Sequence, residues 1–291
     1  MQGSLGTNIF QIHQILFYAR GMNRLLLLFA AICLALPMTV QAKETKMTES
    51  EAQALQLALN RGLDLIRYDQ AAWHTTDTLR EDVPALSDSG IRGWVVTQVE
   101  SGLLVTFWKR DGEAYVGVYS AIWNKDGVTE RRILSGKDTA LSDFQRGLIE
   151  AQQLVLKSGF EFTRCSQAAF NSVVLPPTAD GDPILVYFLV PQADFKSVPL
   201  GKHYRFSVKD GKIESHRSFS NSCISLPLGL EKGKGKPEAL TISHLLDPVP
   251  TEIHIFSTFA AKLPIYVITS SNNHIWSAEI ISGQPRVRLI K

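Results

Sequence analysis

GWVVTQVESGLLVTFWKRDGEAYVGVYSAIWNKDGVTERRIL, residues 93–134, decides the fold. Gly93 to Glu100, Leu103 to Arg110 and Ala114 to Trp123 are rich in Val, Trp, Tyr and Phe, and their pattern has the period of two that half-buried strands require. Ser101-Gly102 and Asp111-Gly112 separate them as hairpin turn signals, glycine supplying the positive φ that tight turns need. Asn124-Lys125-Asp126-Gly127 makes a further turn before Val128 to Leu134. The stretch predicts a four-stranded antiparallel meander.

On the N-terminal side, Thr48-Glu49-Ser50-Glu51 reads as a capping box opening an amphipathic helix over 48–66, with Leu55, Leu59, Leu63 and Ile66 near helical spacing. Gly62 weakens that helix, and a second helix is expected from Tyr68 to Leu79. On the C-terminal side, Ser142 to Lys157 returns to helical spacing and stops at Ser158-Gly159. The remainder reads mostly as strand: Ser172–Leu175, Ile184–Val190, His203–Val208, Lys212–Phe219, Leu240–Leu245, Glu252–Thr258, Pro264–Thr269 and His274–Ile281. The expected class is therefore α+β, with N-terminal helices, antiparallel meanders and one connecting helix. A division into two lobes near 135–165 and two interlocked lobes sharing one core both fit. Glu231 to Glu238 (EKGKGKPE) reads as a loop in which Lys232, Lys234 and Lys236 are solvated.

Met22-Asn23-Arg24, the apolar run Leu25 to Leu36, and Val40-Gln41-Ala42 have the three-part layout of a cleavable signal peptide. Residues 1–42 are read as that signal, with Met22 as the expected start, and 43–291 as the exported unit. A run of this length falls short of the roughly 20 residues that a spanning helix needs. The expected location is a bacterial periplasm or the exterior. Overall, the 291 residues are 45% hydrophobic and 20% charged with net charge +2, which fits a globular chain and gives no electrostatic case for nucleic acid. The two basic residues before position 43 carry that excess, and no further long apolar run follows, so no transmembrane segment is expected after the signal. With Cys33 inside the signal, Cys165 and Cys223 are expected to pair in an oxidising compartment; a reactive Cys165 beside Arg164 is the alternative.

Searching for chemistry returns absences: no G-x-S-x-G, H-E-x-x-H, P-loop, G-x-G-x-x-G or C-x-x-C occurs. One constellation stands out. If Leu240–Leu245 and Glu252–Thr258 form a hairpin, His244 lies opposite His254 with Glu252 on the same face. Two imidazoles and a carboxylate there would hold a divalent metal and support metal-assisted hydrolysis. The plainer reading is a half-buried strand face, and a helix over 252–263 would break the geometry. His74 and Asp77, near Arg67 and Asp69, have the i, i+3 spacing of a touching pair, more often a surface ion pair than a general base. Trp94, Trp108 and Trp123 fall in successive strands as core candidates or, on a shared face, a ligand platform.

Phe170 to Pro177, Ser218 to Cys223, His244 to Phe256 and Pro264 to Val267 together resemble a group of exported proteobacterial proteins of unknown function. The resemblance spans most of 43–291 and implies a secreted or periplasmic unit, with no activity and no catalytic residue to carry over. Three classes of function follow: a non-catalytic binding or interaction protein with a protein or envelope partner, which is preferred; a metal-dependent hydrolase on His244, Glu252 and His254; and an envelope-associated structural protein.

Overall fold

A computed structural model describes residues 46–194, 196–229, 235 and 237–291. The readings made for residues 1–42, and most of those for Glu231–Glu238, lie outside the described residues.

Thr48 opens helix α1 (Glu49–Asp82) with the expected capping box. Its hydroxyl accepts the Glu51 N–H at 3.2 Å, and the Glu51 carboxylate accepts the Thr48 N–H at 2.8 Å. The two helices expected here are one helix of 34 residues. Nothing between Ile66 and Tyr68 removes a backbone donor, and Leu65, Tyr68, Ala71 and Ala72 continue a single buried face. The helix ends at Val83, which precedes Pro84 and is biased away from helical backbone.

The meander forms as read: β1 (Ile91–Val99), β2 (Gly102–Asp111), β3 (Ala114–Asn124) and β4 (Gly127–Ile133), antiparallel in that order. Ser142 caps α2 (Asp143–Lys157) with a second reciprocal pair to Gln145. Five strands follow: β5 (Asn171–Leu175), β6 (Ile184–Leu189), β7 (Ser197–Pro199), β8 (Tyr204–Lys209) and β9 (Lys212–Ser218). β5, β6, β8 and β9 form a second antiparallel sheet in that order, while β7 pairs with β10 (Ser225–Pro227).

These two four-stranded sheets are buried on both faces, and strand alternation sorts their side chains between two clusters. Val96, Val105, Phe107, Tyr119, Val173, Leu185 and Tyr187 join the cluster that contains the buried face of α1. Val95, Trp108, Val174, Val186, Phe188 and Phe206 join the other, with Leu148, Ile149 and Val155 of α2. The three meander tryptophans therefore share no platform. Trp94 and Trp123 pack on the α1 side, whereas a register shift after Phe107 accompanies the placing of Trp108 in the opposite cluster.

The C-terminal sheet runs β11 (Leu240–His244), β12 (Ile265–Thr269), β13 (His274–Ile281) and β14 (Gln284–Leu289), with α3 (Glu252–Ala261) between the first two. The expected strand Glu252–Thr258 is this helix. Its β-branched Ile253, Ile255 and Thr258 bias a reading toward strand. Two features override them: a capping box between Thr251 and His254, and the parallel pairing of β11 with β12, which no hairpin can connect.

α1 packs against α3 and β14, so the ends of the described chain meet. Asn272 donates to the buried Glu51 carboxylate at 2.7 Å. The crossing of α1 and α3 explains Gly62: a Cβ there would lie 2.6 Å from Ile255 Cγ2 and 2.7 Å from Ile255 Cβ. The cysteines pair as read, Cys165–Cys223, tying the segment after α2 to that after β9 across 58 positions. Beside the bridge Gly201 lies flat on residues 222–224, where a Cβ would come within 2.2 Å of the Ile224 nitrogen. Among the described residues no helix is long and apolar enough to cross a membrane.

Candidate functional site

His244 ends β11 and Glu252 begins α3, so both side chains sit where the C-terminal sheet meets the sheet of β5, β6, β8 and β9. Parallel pairing gives His244 the cross-strand partner Thr269, and the proposed hairpin partner His254 lies on a helix. The imidazoles still meet edge to face, with ring centres 4.7 Å apart. The capping box accounts for this: His254 folds back so that its Nδ1 accepts the Thr251 N–H at 3.0 Å, which puts the ring proton on Nε2.

Glu252 leaves in another direction. Its carboxylate accepts the Tyr187 hydroxyl at 3.0 Å and pairs with Arg205. The expected His244–Glu252–His254 grouping is thus replaced by two separate arrangements. Among the described residues, no group of three His, Cys, Asp or Glu converges as a metal-holding set.

Residues not singled out from the sequence organise this region. Arg205 on β8 and Arg217 on β9 are direct cross-strand partners. Like charges placed so repel, and each takes its own carboxylate from the stretch that runs from the end of β11 into α3. Arg205 holds Glu252, and Arg217 holds Asp247 through two bonds of 3.0 and 2.6 Å. The two guanidiniums also lie 5.8 and 4.5 Å from the centre of the Phe219 ring. Asp247 passes the chain on to His244 Nε2 at 2.8 Å. Burial alone would raise the Asp247 carboxyl, but hydrogen bonds from His244 and Arg217 outweigh it and hold the group well below the usual carboxylate range.

Burial pushes His254 down to about 3, helped by the neighbouring His244. It likewise brings His203 down to about 4; that ring accepts the Val190 N–H on Nδ1 and faces the Pro199 carbonyl with Nε2. These imidazoles are neutral, bonded structural groups. Thr251 is the only hydroxyl-bearing residue bonded to the imidazole of either His244 or His254 among the described residues, and it is the helix cap. An adjoining cavity, lined by Phe219, Ser220, His244 and His254, has a volume of about 60 Å³. That is room for one or two waters at roughly 30 Å³ each. The arrangement is a double ion-pair clamp between the β8–β9 hairpin and the segment that links β11 to α3.

His74 and Asp77 do not pair. His74 stacks parallel to Trp123 at 6.0 Å, and Asp77 takes Arg80 at 3.0 Å.

A larger opening lies elsewhere. One face of α1, carrying Leu57, Asn60, Arg61, Asp64, Arg67 and Tyr68 at helical spacing, forms one wall of a groove of about 490 Å³. Leu175 to Thr178 and Asp182 to Leu185, around the connection from β5 to β6, form the other wall, and Gln98 of β1 closes one side. Its size falls in the range of small-molecule sites, roughly 300–1,000 Å³. Arg67 donates to Gln98 at 3.1 Å and lies 3.6 Å from Asp64. Burial raises the Asp64 carboxyl against the pull of Arg67, and it pushes the Tyr68 phenol up to about 12, so Tyr68 stays a donor at neutral pH. Arg61 is half-buried and makes no hydrogen bond or ion pair among the described residues.

No protein-family model, curated protein or solved structure matches this chain.

Proposed function

We propose that this chain is an exported, non-catalytic binding protein whose ligand seats in the groove between α1 and the β5–β6 connection. The groove carries the reading because it joins ligand-sized volume to polar groups left unspent, with Arg61 foremost. The clamp around His244 and His254 offers the opposite: its carboxylates are consumed by Arg205 and Arg217, and its cavity is water-sized. Export is supported by the signal-like layout of residues 1–42 and by the Cys165–Cys223 bridge, which suits an oxidising compartment. The same location fits the resemblance to exported proteobacterial proteins.

Thermal unfolding against a small-molecule library tests the reading, with Leu57→Trp alongside to fill the groove. Ligands that bind only the folded state raise the midpoint by mass action. The expected result is a set of stabilising compounds whose effect disappears in Leu57→Trp. A rise produced by zinc or manganese and abolished by His254→Ala would instead put the metal-dependent hydrolase in first place.

A further inference from the structure

Two arginines and two aspartates line the groove, and one of them, Arg61, makes no hydrogen bond or ion pair among the described residues. The buried Tyr187 feels three charged groups: Glu252, Arg205 and Arg61. Glu252 and Arg205 neutralise each other, and the Tyr187 hydroxyl takes the same carboxylate oxygen. Arg61 is left over. The carboxylates of the groove are committed elsewhere. Asp64 faces Arg67, and Asp182 accepts the Thr178 hydroxyl at 2.6 Å and the Ala179 N–H at 3.0 Å within its own turn. One half-buried guanidinium therefore stands without an ion-pair partner among the described residues, in a site walled by Leu57, Pro176, Pro177 and Pro183.

A guanidinium offers a planar pair of N–H donors that matches a carboxylate, and partial removal from water strengthens the pairing. Arg61 offers a single positive charge, with Asp64 and Asp182 lining the same groove. That favours a monoanion over a phosphate dianion. The prolines supply a stiff apolar wall whose shape costs little ordering on binding.

We propose that the groove binds a small monocarboxylate bearing an apolar tail, with its carboxylate on Arg61 and its tail along Pro176, Pro177 and Pro183. This assignment rests on the binding-protein reading above and names its ligand class.

Isothermal titration calorimetry on the purified protein tests it with octanoate and 3-phenylpropionate, their neutral amides, and inorganic phosphate. Each acid is expected to bind about tenfold or more tightly than its amide. Arg61→Gln should bring the acid down to the level of the amide without lowering the melting temperature, and Arg61→Lys should restore part of the difference. Equal binding of acid and amide, unaffected by Arg61→Gln but abolished by Leu57→Trp, overturns the carboxylate assignment and leaves the groove as a binding site. Phosphate binding more tightly than either acid, with loss in Arg61→Gln, overturns it in favour of another anion. If neither acid binds at millimolar concentration, the inference falls, and the library screen decides the broader reading separately.

Discussion

Gly62→Ala is a substitution whose sign the geometry decides. Within an exposed helix, replacing glycine by alanine stabilises by about 1 kcal/mol, because alanine loses less backbone entropy. At position 62 the new Cβ would sit 2.6 Å from Ile255 Cγ2 and 2.7 Å from Ile255 Cβ. Ordinary carbon–carbon contact needs roughly 3.5–4.0 Å, so the crossing lacks about 1 Å. A rotamer change in Ile255 moves Cγ2 but not Cβ, which the α3 backbone fixes. Relief requires shifting α3, which is held on its other sides by β7, β12 and β13. Overpacking of this kind costs about 1–3 kcal/mol. Against the propensity gain, the net expectation is a loss of about 1 kcal/mol, measured by urea unfolding followed by far-ultraviolet circular dichroism. The partner substitution sharpens the test. Ile255→Ala keeps the Cβ and should relieve the contact only in part. Ile255→Gly removes it, so in that background Gly62→Ala should become stabilising by about 1 kcal/mol. A Gly62→Ala protein as stable as the parent, with no coupling to position 255, would refute the packing argument.

The Cys165–Cys223 bridge closes a loop across 58 positions, so replacing both cysteines by alanine should cost about 4 kcal/mol on the chain-entropy model; a free-thiol assay of the native protein should find neither cysteine reactive. His203 and His254 are held neutral, at about 4 and about 3, whereas the unfolded chain takes up protons near its ordinary value of 6.5. Stability contributed by each is complete above that value and declines as pH falls toward 4, by up to about 1.4 kcal/mol per pH unit for each ring. Urea titrations at about pH 7 and about pH 5 should show this loss, and equal midpoints would contradict it. Glu252→Ala leaves Arg205 and the Tyr187 hydroxyl without their partner and should cost about 3 kcal/mol or more by thermal unfolding. Glu252→Gln keeps an acceptor for Tyr187 and should cost less.

Local chemistry carried most of the fold from sequence to structure. The capping boxes at Thr48 and Ser142, the Ser-Gly and Asp-Gly turns and the alternating runs between them act within a few residues, and each appears where its chemistry places it. What escaped depends on distant partners. Residues 252–258 have a strand-like composition, and the parallel pairing of β11 with β12 makes them a helix. Gly62 looks like a flaw in α1 until Ile255 arrives from nearly two hundred residues away. His244 and His254 meet through a helix cap and not across the hairpin that their spacing suggests. The clamp went unseen because Arg205 faces Arg217 through a register shift at Ser207 and Val208, which no spacing rule announces. Arg61 escaped too, since its distinction is the lack of a partner.

The bond from Glu51 to Asn272 has a consequence for how the protein is made. α1 is among the first described segments to leave the ribosome, while α3 and β14, which cover part of it, are among the last. At about 5–20 residues per second, the interval is on the order of ten seconds or more. Throughout it, Leu55, Ile66 and their neighbours lack the partners that later bury them. A chain cut off before α3 would keep its central strands yet display an uncovered apolar stripe on α1, around Ala58 and Ile66, a marker that chaperones and proteases can read. Late synthesis thus completes α1, and a copy that lacks α3 is chemically distinguishable from one that has it.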